Sequence, residues 1–230
     1  MCGRNTLLDN KKLIIKDFSI DVWHSNETIP NYNIGPSSFT PVMISKKELR
    51  VVMDMKWGLI PSWASNDSIG NRMINARSEN ILEKPSFQNL VHRNRCVIFS
   101  SGYFEWRKTN KRKQPFYIKN STNKILALAG IWTTWKSKNS KIIYSYTIIT
   151  KKAQSNLKHI HHRMPAILKE NNIEKWINSE KYNFPSVQNL LKSHISNLIF
   201  HNVSGLVNFK NNNSEKCIQK IISPFTIDLF

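Results

Sequence analysis

Acidic side chains are scarce: fifteen Asp and Glu stand against thirty-four Lys and Arg in 230 residues, giving a formal net charge of +19. A field of that sign attracts polyanions and speeds their encounter, and nucleic acid is the usual partner. Cysteine is scarce too. Cys2, Cys96 and Cys217 form no even framework, which excludes a disulfide scaffold and fits a reducing compartment. Long apolar runs are missing, since stretches such as Ile125 to Trp132 are far too short to cross a bilayer. The leading residues MCGRNTLLDNKK carry no apolar h-region and no cleavage signature, so the expected place is the cytoplasm and no membrane is expected as a partner. Sequons such as Asn66-Asp67-Ser68 are then chance matches in an Asn-rich chain. CxxC and HExxH patterns are absent, so the sequence calls for no metal and no cofactor.

What is present is globular. Hydrophobic residues make up 40%, with seven Trp and eleven Phe, and a chain of this length buries roughly 70% of its unfolded surface without staples. Neither an internal repeat nor a linker interrupts it, so a single domain over 2–220 with a tail at 221–230 is expected, and no heptad demands a second copy, making a monomer the default. The basic excess has two readings. Only nine of the cations are Arg, and Lys, Asn and Ile are over-used together, as codon drift in an AT-rich genome would produce.

Ile142 to Thr150, Ile125 to Trp132, Arg95 to Ser100 and Val51 to Trp57 have the β-branched and aromatic content of strands. Pro85 to Val91, Ala153 to Lys158, Asn171 to Asn178 and Pro185 to His194 suit short helices. These elements do not alternate as βαβ units do. The expected class is α+β: a mostly antiparallel, barrel-like β core with short peripheral helices. Phe209 to Lys216 reads as a polar loop, with the segment after it loosely attached.

Four stretches could carry chemistry. Removal of Met1 before a small residue would leave Cys2 with a thiol and an α-amine on one carbon framework, each partly nucleophilic near neutral pH. The thiol can attack an acyl carbon, or amine and thiol together can capture an aldehyde as a Schiff base and then a thiazolidine; a frayed end is the bland alternative. Glu105, bracketed by Tyr103, Phe104 and Trp106 after a turn permitted by Gly102, is a candidate general acid or base, or else a paired strand-end carboxylate. In His159-Ile160-His161-His162-Arg163, an extended backbone would put His159 and His161 on one face, beside an Arg that never titrates. Asn75 and Arg77, two apart on a strand, could orient a reacting group and hold an anion, although helix capping serves Asn75 equally well. Trp57 and Trp63 could stack on bases, and Trp57 is assigned to the core.

In order along the chain, the set resembles the SOS response-associated peptidase (SRAP) family of abasic-site-processing proteins. The matching pieces are Met1-Cys2-Gly3-Arg4, Tyr32 to Pro36, Lys56 to Ala64, Ile74 to Glu79, Glu83 to Phe87, Arg95 to Ile98, Gly102 to Trp106, Ala129 to Trp132 and Ile160 to Pro165, with Val203 to Asn208 fainter. The resemblance implies a covalent thiazolidine link between Cys2 and an abasic site in single-stranded DNA. It implies that Asn75 positions the reacting amine or sugar, that Glu105 is the general acid/base, and that His161 moves protons. Arg4, Arg77 and Arg163 would hold phosphates, Pro36 and Trp63 would wedge or stack against the DNA, and the protein would work at the nucleoid. The peptidase name reflects a proposed release of Met1, so self-processing is possible under the same resemblance.

Three positions depart from the family pattern. His162 stands where Asp is usual, which removes a negative neighbour and lowers the expected His161 pKa. Gly35 replaces the usual Ala, a change expected to be minor, and Ala64 stands where some relatives have a second Trp. The competing readings are an N-terminal nucleophile amidohydrolase or glutamine amidotransferase, whose downstream glutamine-binding and oxyanion landmarks are not found, and a non-catalytic single-stranded-DNA-binding module.

Overall fold

The computed structural model describes residues 2–108 and 113–221. Its strands are β1 (Arg4–Leu7), β2 (Val22–Trp23), β3 (Asn31–Ile34), β4 (Phe39–Lys46), β5 (Leu49–Trp57), β6 (Asn75–Arg77) and β7 (Arg95–Ser100). They continue as β8 (Gly102–Lys108), β9 (Lys113–Asn120), β10 (Leu126–Lys136), β11 (Ile142–Lys152), β12 (Arg163–Pro165), β13 (Ile167–Leu168) and β14 (Leu198–Asn202). The helices are α1 (Lys11–Phe18), α2 (Pro85–Arg93), α3 (Ile173–Ile177) and α4 (Phe184–Val187).

Strands β11, β10, β7, β4 and β5 pair antiparallel in that order, and a parallel pairing of Ser145 with Lys56 and Tyr146 with Trp57 joins β11 back to β5. The sheet is thereby closed into a five-stranded barrel, which leaves its central strands buried on both faces and explains their near-continuous apolar runs. All six residues of β7 are buried. Trp57 lies in this core, fully buried, with its indole N–H donating to Ile74 O at 3.0 Å and its ring stacked on Tyr146. A second, five-stranded sheet runs β14-β9-β8-β1-β3. The α+β, barrel-like expectation describes this architecture.

Short helices dress the barrel. Pro85 sits in the first turn of α2, where its missing N–H is not needed, and Asn10 caps α1 by accepting from Leu13 N at 3.0 Å. Arg95, fully buried, anchors α3 and the turn after it: its guanidinium donates to the carbonyls of Trp176, Val91, Asn178 and Tyr182.

Several local expectations need correction. Ala153 to Lys158 forms only a 3-10 turn over Ser155–Leu157, and Pro185 to His194 splits into α4 and a 3-10 segment. The histidine segment is a turn, not a strand, so His159 leaves its expected partner and packs on Phe200 while His161 stacks on His162 at 4.3 Å. Gly102 is the first residue of β8, directly after the bend at Ser101 that ends β7, as the expected turn requires. A Cβ there would sit 2.5 Å from the Tyr117 ring, so the glycine serves close approach. The stretch after Lys216 is not loose as far as Ile221. Cys217 is buried with Phe104, Tyr117, Val203 and Val207, and Ile221 N–H donates to Asn202 O at 3.0 Å. The polar loop before it is also fixed, since Asn213 Oδ1 accepts from Tyr32 N and Asn33 Nδ2 donates to the carbonyls of Phe209 and Asn212. The remainder of the expected tail, 222–230, lies outside the described residues, as does Met1.

Candidate active site

Two sheets bring four distant residues together. In the five-stranded sheet, β1 pairs antiparallel with β8 through Arg4↔Phe104 and Asn5↔Tyr103, which carries Cys2 toward Glu105. On the barrel, β11 takes two short strands along one stretch: β6 pairs parallel at Ile148↔Asn75 to Thr150↔Arg77, and β12 pairs antiparallel at Thr150↔Pro165 to Lys152↔Arg163. Asn75 and the His161 segment are therefore fixed to neighbouring points of one rigid strand.

The contacts between these pieces are direct. Asn75 Nδ2 donates to the main-chain carbonyl of Cys2 at 2.8 Å, a bond spanning 73 positions of sequence. Glu105 Oε2 lies 3.8 Å from His161 Nδ1. Cys2 is fully buried, and its Sγ–H points to Arg4 O at 3.8 Å. Asn75 caps no helix; it serves Cys2.

Electrostatics separate the roles. Burial pushes the Cys2 thiol well above its ordinary range, with the nearby Glu105 charge adding to the effect, so the sulfur carries its proton at neutral pH. Glu105, only 2% exposed, has its carboxyl raised by burial to about 7. Burial lowers His161 to about 4, and the His162 that replaces the expected Asp adds to the lowering, as anticipated from the sequence. The imidazole is thus neutral at pH 7, and its 3.8 Å approach to Glu105 is not an ion pair. His161 Nδ1 is held by the Arg163 main chain, 3.0 Å from its N–H and 3.2 Å from its carbonyl oxygen.

The three arginines differ. Arg4 is half-buried, with Nη1 donating to Gly3 O at 3.1 Å. Its guanidinium lies against Gly35, where a Cβ would stand 2.8 Å from Nη1. The Ala-to-Gly departure therefore makes room for the guanidinium of a predicted site residue. Arg77 is exposed at the end of β6. Arg163 is 6% exposed and closed on Glu79 by two bonds of 2.7 and 2.9 Å, with a third to Thr150 O at 2.7 Å. Glu79 is the functional residue the sequence reading left without a role, although it stands within the quoted Ile74 to Glu79 stretch. Its carboxyl is held down to about 2 by Arg163. Trp63, 65% exposed, lies on the loop after β5 and is not hydrogen-bonded to the cluster. Half-buried Pro36 has its carbonyl held by Lys210 Nζ at 3.3 Å.

A family model described as SOS response associated peptidase (SRAP) matches residues 1–210. The chain belongs to the SRAP family. Among relatives of this SRAP chain, the abasic site processing protein YoqW of Bacillus subtilis (strain 168) is 36% identical over 222 residues, covering 95% of this chain and 99% of that protein. The abasic site processing protein HMCES of Gallus gallus is 35% identical over 224 residues, covering 84% of this chain and 66% of that protein. A crystal structure of a protein from Bacteroides thetaiotaomicron superposes with a TM-score of 0.81 at 26% identity, covering 96% of this chain and all of that one. Among the described residues of the SRAP chain, no helix is long and apolar enough to cross a membrane, and no group of three or more His, Cys, Asp or Glu could hold a metal ion.

Proposed function

We propose that this SRAP chain processes abasic sites in single-stranded DNA by capturing the ring-opened sugar aldehyde on Cys2. The reading is carried by Asn75 bonded to the Cys2 carbonyl and by Glu105, whose charge acts on Cys2 and which lies beside His161, and it is supported by relatives named for abasic-site processing. Release of Met1 exposes the Cys2 α-amine. That nitrogen adds to the aldehyde carbon, and the resulting carbinolamine loses water to give an imine. The Cys2 S–H then adds across the C=N bond, sulfur to carbon and hydrogen to nitrogen, closing a thiazolidine. The balance is amine, thiol and aldehyde going to one ring and one water. The ring closure gains from a thiol already tethered beside the imine carbon.

Each neighbour has a task in this sequence. Asn75 fixes the Cys2 backbone, and so the directions of its amine and thiol. The thiol arrives protonated, so a base must take its proton, and the departing hydroxyl needs an acid. A carboxyl titrating near 7 does both, which assigns general acid/base work to Glu105. Neutral His161 relays protons in crosslinking and reversal. Arg4 and Arg77 hold flanking phosphates, Pro36 and Trp63 contact the DNA, and Arg163 with Glu79 holds the His161 turn in place. A single strand presents the lesion sugar without unpairing, which suits an exposed basic surface.

The test is denaturing electrophoresis after incubation with a single-stranded oligonucleotide carrying one abasic site, beside an intact control. A heat-resistant shifted band with the abasic strand alone, absent in Cys2→Ala, is expected. No such band, with intact mass showing Met1 gone, overturns the proposal.

A further inference from the structure

Behind the Arg163–Glu79 pair lies a cavity of about 400 Å³, within the range of small-ligand sites. Its lining includes the buried Phe184 and Leu191, each 2% exposed, and the cationic side chains of Lys151, Lys152 and Lys192. Glu79 also lines it, but that carboxylate is already engaged by Arg163. Lys151 is the unusual member. It is only 8% exposed, its ammonium donates to the Ser193 carbonyl, and it makes no ion pair among the described residues. An ammonium buried without a counter-charge is costly unless an anion reaches it. Desolvation lowers its pKa accordingly. None of these lysines belongs to the Cys2 cluster.

We infer that this cavity is a second binding site for a nucleotide unit, its phosphate held by Lys151, Lys152 and Lys192. The phosphate supplies the charge that Lys151 lacks, and a volume of about 400 Å³ leaves room for the rest of the unit. The unit has two sources, a free mononucleotide or a nucleotide of the captured strand. The second rests on the DNA-processing reading above, and the layout permits it: Ser78, on the cavity wall, is three residues from Asn75, at most about 10 Å of extended chain.

Equilibrium binding of dAMP, dTMP and inorganic phosphate to the full chain tests the first source, with Lys151→Met and Lys192→Glu as variants. Met keeps the volume of the buried stem, Lys192 is exposed, and thermal melting checks that both fold. Saturable nucleotide binding, weakened at least tenfold in both variants and far exceeding binding of phosphate alone, is expected for a free ligand. For the strand source, abasic oligonucleotides are lengthened one nucleotide at a time away from the lesion. A step in affinity that the wild type shows and both variants lose is then expected. Nucleotide binding and strand-length response both unchanged in the variants overturn the inference, and phosphate binding as tightly as dAMP overturns the assignment to a nucleotide. If the wild type binds no oligonucleotide, the DNA-processing reading fails and the mononucleotide titration alone decides the cavity.

Discussion

Glu105→Gln changes the pH dependence of stability in a way that follows from two opposed titrations. Glu105 keeps its proton in the folded protein to about pH 7, whereas an unfolded chain gives it up near 4.5. Between those values the unfolded state binds fewer protons, so stability falls as pH rises. The interval is worth roughly 3 kcal/mol at about 1.4 kcal/mol per pH unit. His161 runs the other way. Folded, it refuses a proton down to about pH 4; unfolded, it takes one near 6.5, so stability falls as pH drops through that window by a similar roughly 3 kcal/mol. In the wild type the two slopes oppose each other from about 4.5 to 6.5, and the profile there is shallow. Gln cannot ionise, so the variant retains only the histidine slope. Its stability relative to wild type therefore climbs by roughly 3 kcal/mol between pH 4.5 and 7.5. Urea denaturation followed by Trp fluorescence at half-unit pH steps reads this directly. A stability difference that stays constant across the range would refute the account of Glu105 as a buried carboxyl titrating near neutrality.

Two further outcomes are expected. Affinity for undamaged single-stranded DNA should fall with salt with a log–log slope steeper than about −1.4, the value for two phosphate contacts; filter binding from 50 to 300 mM salt measures it, and a flat profile would mark the +19 charge as codon drift. Arg95→Met should destabilise the fold by about 2–4 kcal/mol, because it strips the shared donor from buried carbonyls of Val91, Trp176 and Asn178; an unchanged urea midpoint would show that those carbonyls find other partners.

The barrel was legible because its strands are buried on both faces and therefore read as apolar, β-branched runs, as in Arg95 to Ser100. Its closure was not, since the β5–β11 pairing joins segments some ninety residues apart and leaves no local mark. Asn75, Glu105 and the histidine run stand out by residue type and spacing, and the family motifs give them roles; the contacts of Asn75 with Cys2 and of His161 with Glu105 are products of separate strand registers. The segment after Lys216 reads as a loose end, whereas partners from elsewhere in the chain, the Cys217 cluster, hold it as far as Ile221. Glu79 was overlooked for the same reason, as its Arg163 partner lies 84 positions away. Lys151 sits in the strand-like run after Ile142 and gives no hint in sequence that its ammonium is buried.

The central claim is that residue 2 captures the lesion through amine and thiol together. Intact-mass spectrometry of the protein after reaction with an abasic oligonucleotide, followed by mapping of the modified peptide, tests it most directly. The predicted adduct lies on Cys2 of a chain lacking Met1, weighs protein plus oligonucleotide minus one water, and survives heat without borohydride reduction. Cys2→Ala, which retains an amine but no thiol, should give only a reducible imine. An adduct on another residue, or one in Cys2→Ala as stable as in the wild type, would contradict the account.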